Sequence, residues 1–441
     1  MSYDLIVRGG SCVSHRGVDR ADVGVRDGRI AEIGDLAQAD AAEEIDVTGC
    51  HVLPGAIDPQ VHFREPGFEH KEDLETGTRA AVLGGITSVF EMPNTDPPTT
   101  HAAALEDKLR RAHGRAWCDV AFFVGATPDN AERLDELERL PGCAGVKVFM
   151  GKSTGNLLVH EDRDLERVLR SGRRRVAVHA EDEMRLQERA ETLDLAKGGV
   201  AMHPEWRDVE SAVRATRRLL EIAARCRRRV HVLHLTTAEE VDLIAAHRVW
   251  ATSETTPQHL TLAAPECYAE RGTRVQMNPP IRDDRHRRGL WRGVLGGVID
   301  NIASDHAPHT LSEKAQPYPR SPAGMPGVQT LLPIMLDHVV AGRLSLELLV
   351  DLCCAGPARV WGAPRKGRLV IGGDADLSII DLGATREIRD DWIASRCGWT
   401  PFDGRTVRGW PTATIVRGRV VMREDEVQGT PSGVAVEFSE R

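Results

Sequence analysis

His62 and position 60 stand two residues apart in the stretch GAIDPQVHFREPG, residues 55–67. An apolar run (Val52, Leu53, Ala56, Ile57) leads in and Pro66-Gly67 closes it, which predicts a buried strand ending in a sharp turn. Side chains two apart on a strand share a face, so two imidazoles here would grip one metal ion from one side. Position 60 is Gln, which leaves one imidazole and one amide. Arg64 falls on the same face two residues further, beside any ion held there. A metal next to a guanidinium suits a substrate carrying both a bond to be hydrolysed and a carboxylate. The plain alternative, on this stretch alone, is a buried strand with one hydrogen-bonded histidine.

Other residues able to bind a metal or move a proton lie far off in sequence. His179 (VAVHAED) follows a β-branched run. His231 and His234 (VHVLHLTT) are three apart, so on a strand only one faces inward; His234, nearer the strand end, is the expected one. Asp305 (IASDHAPH) closes the last strand candidate, with His309 four residues on and His306 as a competing choice. Lys147 lies in the apolar segment AGVKVFM. A lysine facing an interior must be paired, neutral or modified, because desolvating an ammonium is costly. A neutral amine can add carbon dioxide, and the resulting carbamate is a carboxylate on a long arm, able to bridge two metals. A lysine snorkelling from an edge segment is the alternative.

Eight strand-like runs can position these groups. They are GAIDPQVHF, ITSVFEM (86–92), DVAFFVGA (119–126), AGVKVFM (144–150), RVAVHA (175–180), VHVLHLT (230–236), VWATSET (249–255) and VIDNIASD (298–305). Amphipathic helical stretches lie between most of them. That alternation predicts a (β/α)8 barrel, an α/β fold whose chemistry sits at the C-terminal ends of its strands. His62, Asn94, Lys147, His179, His234 and Asp305 all fall in or just past the last part of a run. Residues 1–54 and 361–441 read instead as short alternating segments broken by Gly and Asp. They predict one small β-sandwich built from both chain ends, beside a barrel domain over 55–360.

The remaining composition excludes whole classes. At 441 residues the chain fits a barrel of about 250 residues or more plus a smaller domain. The net charge of −9, with basic residues scattered, gives no nucleic-acid stripe and no polybasic membrane anchor. Mean hydropathy is −0.31 and no apolar run approaches about 18 residues, so no membrane span is expected. The first residues lack a signal-peptide pattern. Nine cysteines without a CxxC read as reduced cytoplasmic thiols. Lysine is scarce beside arginine, which makes each lysine, the only one of the two able to supply a neutral amine, worth placing.

From LIVRGG through HFREPG, HKED, GGIT, MPNT, GVKVFMG, HAED, HLTT, NPPIR and SDHAPH to TIVRG, the sequence resembles the dihydroorotases of the amidohydrolase superfamily. The resemblance runs nearly the full length, and it implies a (β/α)8 barrel with a composite β-sandwich, one or two zinc ions per chain and a small cyclic substrate. It implies that His62, residue 60 and Asp305 hold the more buried metal, that His179 and His234 hold the second, and that carboxylated Lys147 bridges them. Arg64, Asn94 and His309 would clamp the substrate carboxylate, while Asn278 and Ala323-Gly324 would contact the ring. Asp305 would be the catalytic acid and base. A homodimer, and association with aspartate transcarbamoylase, are the expected partnerships.

Gln60 departs from the family's HxH pair, and a neutral amide oxygen is a weaker ligand than imidazole. The first metal site is therefore expected to be weak. Gln258 in TPQHL stands where relatives often carry His, which is expected to matter less. Three functional readings follow: an active dihydroorotase, a silent dihydroorotase-like subunit supporting a transcarbamoylase, and a hydantoinase- or allantoinase-like cyclic amidase for another ring. The presence of Arg64, Asn94, Lys147, His179, His234, Asp305 and His309 together favours the first.

Overall fold

The computed structural model describes residues 2–14, 17–152 and 157–439. Eight parallel strands form one sheet whose spatial order follows the sequence: β1 (Ala56–Val61), β2 (Ile86–Glu91), β3 (Asp119–Gly125), β4 (Cys143–Phe149), β5 (Val176–His179), β6 (Val230–Val232), β7 (Ala251–Thr255) and β8 (Asn301–Ile302). They coincide with the eight runs read from the sequence, and most are buried along their whole length, as strands covered on both faces must be.

The last run behaves differently from its expectation. Only Asn301–Ile302 pairs as strand, so the sheet is closed by other means. The His62 N–H donates to the His306 carbonyl (2.7 Å), and the Ser304 N–H donates to Asp58 Oδ1 (3.0 Å). Gln258 braces the same segment through its amide to the Ser304 carbonyl (2.8 Å).

The connecting helices turn an apolar stripe inward. Val209–Cys226 buries Ala212, Ala215, Leu219, Leu220 and Ala223, and Asp208 caps it by accepting from the Ser211 N–H. Ala238–Ala246 starts with a reciprocal capping box between Thr237 and Glu240. Inside the barrel, Ile57, Phe90, Ala121, Phe123, Ala144, Ala177 and Leu233 pack with Trp361. That apolar plug fills the end away from the polar residues.

Both chain ends build the second, sheet-rich part. A four-stranded sheet contains Tyr3–Arg8, Asp22–Arg26, Arg29–Gly34 and Ala41–Asp46. A seven-stranded sheet joins Ser11–Ser14, Gly17–Arg20 and His51–Pro54 to Leu377–Ile388, Arg405–Val416, Arg419–Arg423 and Glu426–Val427. Leu5, Val23, Val25, Ile45, Leu377, Ile379 and Ile415 fill the core between them. A buried cation ties this part to the barrel: Lys366 Nζ reaches Asp119 Oδ2 of β3 (2.5 Å), Asp376 Oδ2 (2.6 Å) and Asp374 Oδ2 (3.0 Å). The nine cysteines are free, and no described helix is long and apolar enough to cross a membrane.

Candidate metal and substrate site

The C-terminal ends of the barrel strands deliver their polar residues to one cavity. Gln60, His62, Arg64, Asn94, Lys147, His179, His234, Asn278, Asp305, Ala323 and Gly324 all line it. Three of these residues are not glycine yet hold positive φ: Arg64 (66°), His234 (36°) and Asp305 (46°). Each lies just past the end of β1, β6 or β8, where the chain leaves the extended form. Such backbone costs free energy and concentrates where side chains must be aimed. The turn also corrects two expectations. Arg64 reaches the cavity from a turn and not from the strand face. His231 also lies inside the barrel, against Trp361 and hydrogen-bonded to Glu254, because strict alternation ends before His234.

The donors stand in two pairs. On one side, His62 Nε2 lies 3.2 Å from Asp305 Oδ1, while its Nδ1–H donates to Asn94 Oδ1 (2.7 Å). Gln60 Nε2 donates to the same Asp305 oxygen (3.0 Å), and Gln60 Oε1 is buried without a partner among the described residues. On the other side, His179 Nδ1 and His234 Nε2 are 3.0 Å apart. Nε2–H of His179 donates to Glu181 Oε2 (2.9 Å), and Arg207 grips that carboxylate through both Nε and a terminal nitrogen. A carboxylate behind an imidazole fixes its tautomer and leaves the facing nitrogen free to bind a metal. Burial would raise the Glu181 carboxyl, but Arg207 and His179 outweigh it and hold Glu181 well below the usual carboxylate range.

Burial also pushes His62, His179 and His234 below the ordinary imidazole value, and the charge of Lys147 adds to the shift at all three. Neutral imidazoles are the form that ligates metals. Lys147 is 1% exposed and has no hydrogen-bond or ion-pair partner among the described residues; its Nζ stands 4.4 Å from the centre of the Phe149 ring. Burial lowers its pKa to about 7, against the opposing pull of Asp305 and Glu254. Glu254 itself is fully buried in β7, accepts from Asn301 Nδ2 (2.7 Å) and is pushed by burial to about 8.

The cavity's opposite wall is cationic. Arg64 is 2% exposed and donates from Nε to the Pro308 carbonyl (3.2 Å); no carboxylate lies within ion-pair distance of it among the described residues. His309 lies against the cavity-lining residues Arg64 and Ala323. It stands behind Arg64 (3.4 Å), donates from Nε2 to the Ala323 carbonyl (3.1 Å) and accepts from Lys71 Nζ (3.2 Å). His306 faces away from the cavity toward Glu72 (3.3 Å).

Several supporting residues escaped the sequence reading. Lys314 is 1% exposed and donates from Nζ to the carbonyls of Gln276 (3.1 Å), Pro322 (2.8 Å) and Gly324 (2.8 Å). One ammonium thus ties together the two segments that carry Asn278 and Ala323-Gly324. His203 holds Asn278 from behind, with Nε2 3.0 Å from Asn278 Oδ1 and 2.9 Å from the Met277 carbonyl. Nothing in the sequence spacing of Glu181, Glu254 or Lys314 reveals a tertiary partner.

A separate acidic group, Asp119, Asp374 and Asp376, is compact enough to hold an ion. Lys366 already stands among the three carboxylates, so this group reads as an internal ion-pair network and not as a metal centre.

Comparison with known proteins agrees with this geometry. The profile of the Amidohydrolase family matches residues 51–421. A dihydroorotase of Methanosarcina acetivorans is 38% identical over 428 residues, covering 93% of this chain and 90% of that protein. An allantoinase of Deinococcus radiodurans is 35% identical, covering 98% of both. The solved L-hydantoinase (dihydropyrimidinase) of Arthrobacter aurescens superposes with a TM-score of 0.93 at 31% identity, over 98% of this chain and 99% of that one. Fold, strand-end residues and relatives agree: this chain belongs to the amidohydrolase family and is a cyclic amidohydrolase.

Proposed function

We propose that the chain is a dihydroorotase, interconverting dihydroorotate and N-carbamoyl-L-aspartate in de novo pyrimidine biosynthesis. The observation that carries this reading is the state of Arg64, a guanidinium 2% exposed without a carboxylate partner among the described residues. A buried cation lacking a counter-ion is costly. A substrate carboxylate supplies that counter-ion, and the planar fork of Arg binds both its oxygens. Dihydroorotate and carbamoyl-aspartate carry such a group; the rings of allantoin and hydantoin do not.

The residues fit a metal. The donor set is imidazole and carboxylate, burial favours its neutral imidazoles, Gln60 Oε1 is buried without a hydrogen-bond partner among the described residues, and Lys147 lines the same cavity. His62, Gln60 and Asp305 would hold one ion, His179 and His234 a second, and Lys147 as its carbamate would reach both. Zinc suits these ligands, with the Gln60 site the weaker. When bound, such an ion polarises the amide carbonyl and lowers the pKa of a water toward about 7.

Asp305 then takes the proton of the attacking water and delivers it to the ring nitrogen as the carbon–nitrogen bond breaks and the carbon–oxygen bond forms. In the cyclising direction it moves the proton the other way. Arg64 holds the carboxylate, with Asn94 beside it, and Asn278 and the Ala323-Gly324 backbone meet the polar edge of the ring. Lys314 and His203 keep those contacts in place.

One observation favours a second reading, a silent subunit: the Gln60 amide donates to Asp305, the residue that must move the proton. Steady-state turnover of dihydroorotate, carbamoyl-aspartate, allantoin, hydantoin and dihydrouracil separates the readings. A dihydroorotase turns over the first two with kcat/KM far above the rest. A silent subunit turns over none, and a different cyclic amidase prefers a ring without the carboxylate.

A further inference from the structure

The barrel's other end carries a second cavity that the hydrolytic reading leaves unused. It has a volume of about 350 Å³ and is lined by Arg174, Arg175, Arg229, Arg359, Arg368 and Trp361, among others. Arg174 and Arg175 immediately precede β5, and Arg229 immediately precedes β6, so these side chains crowd the N-terminal ends of the strands that carry His179 and His234 at or beyond their far ends.

Among the described residues, most of the guanidinium charge in this cavity lacks an ion-pair partner. Arg359 pairs with Asp351 (2.9 Å), and the neighbouring Lys366 is satisfied by three aspartates. Arg174, Arg175, Arg229 and Arg368 have no carboxylate within ion-pair distance among the described residues. Four guanidinium groups without an ion-pair partner among the described residues thus gather at one concavity, in a chain of net charge −9.

Two of them are also held in place. Arg174 donates to the Cys143 carbonyl (2.9 Å), and Arg175 donates to the carbonyls of Val230 (3.1 Å) and Val360 (3.4 Å). Neutral carbonyls fix each fork without cancelling its charge, leaving further N–H groups for a ligand. Arg174 Nε and the indole N–H of Trp361, a residue 5% exposed, are buried donors with no acceptor among the described residues. Burial, and then the charge of Arg229, bring Arg175 down to about 10, against the opposing pull of Asp300.

We propose that this cavity is a binding site for a phosphate chain, the di- or triphosphate portion of a small metabolite. Guanidinium forks match phosphate oxygens two at a time. The cavity lies within the size range of small-ligand sites, about 300–1,000 Å³. Its arginines gather at one concavity and not along an extended basic stripe, which suits a small anion better than a nucleic acid.

The test is calorimetric titration of the metal-loaded, full-length protein with inorganic tripolyphosphate and, separately, with ATP at physiological salt. The comparison protein carries Arg229→Glu and Arg368→Glu together. Both residues are exposed and outside the catalytic cavity, so dihydroorotate turnover serves as the check of an intact fold. The expected result is saturable binding to the wild-type protein, weakened roughly tenfold or more in the double variant. Similar affinities for the two ligands identify the phosphate chain itself as the recognised group, and tighter binding of ATP identifies a nucleotide; either sustains the proposal. No binding of either ligand by the wild-type protein, or equal binding by both proteins, overturns it.

Discussion

Gln60 Nε2 and Asp305 Oδ1 are 3.0 Å apart, so the amide occupies the carboxylate that His62 also faces. Its oxygen, the only atom of Gln60 able to ligate a cation, is buried without a partner. On the proposed two-ion arrangement the first site should be weaker than the second, and the purified protein should hold nearer one metal than two per chain. Gln60→His should raise metal content toward two and tighten the first site by about tenfold or more, without lowering turnover. Metal analysis beside kcat checks this. A Gln60→His protein that binds no more metal, or that is inactive, contradicts it.

Asp305 is predicted to act on the proton and not merely to complete a ligand set. Asp305→Ala should lower kcat by about 10³-fold or more, in the range of losing a general acid–base together with a ligand. The His179–His234 pair is untouched by that substitution, so its metal should stay. Unchanged turnover would remove Asp305 from the chemistry.

Arg64 should govern affinity for the substrate carboxylate. Arg64→Met should raise KM for dihydroorotate by roughly 10- to 100-fold, the equivalent of a lost charge-assisted hydrogen bond or two. It should also narrow the preference over rings that lack the carboxylate. An unaltered KM with a selective fall in kcat would place the carboxylate elsewhere.

The barrel and its strand ends were readable in sequence because parallel strands buried on both faces leave uninterrupted apolar runs. A histidine, lysine or aspartate at the end of such a run is conspicuous, which is why His179, Lys147 and Asp305 could be picked out. What sequence did not reveal depends on contacts made at a distance. Glu181 lies two residues from His179, yet only the fold shows it fixing that ring with Arg207 behind it. His231 escaped because the alternation rule assumes extended backbone, and the chain leaves it at His234. His309 sits where the motif suggests, but its ring turns to the Ala323 carbonyl and stands behind Arg64.

Lys314 was equally invisible, since a lysine in a polar loop ordinarily faces water. Its three carbonyl contacts make it a positioning residue for the Gln276–Asn278 and Pro322–Gly324 segments. Lys314→Met leaves buried carbonyls unsatisfied and should cost about 1–3 kcal/mol of stability. More tellingly, KM for dihydroorotate should rise several-fold while kcat changes much less, because the ring contacts loosen and the metal ligands do not. A fall in kcat alone, with KM intact, would mean that Lys314 supports the metal side and not the ring.

Metal-dependent hydrolysis is tested most directly by turnover of dihydroorotate and carbamoyl-aspartate before and after metal removal by a chelator. The predicted result is activity in both directions, lost on metal removal and restored when zinc is returned with bicarbonate, which supplies the Lys147 carbamate. Turnover that survives complete metal removal, or its absence on dihydroorotate from a zinc-loaded protein, would contradict it.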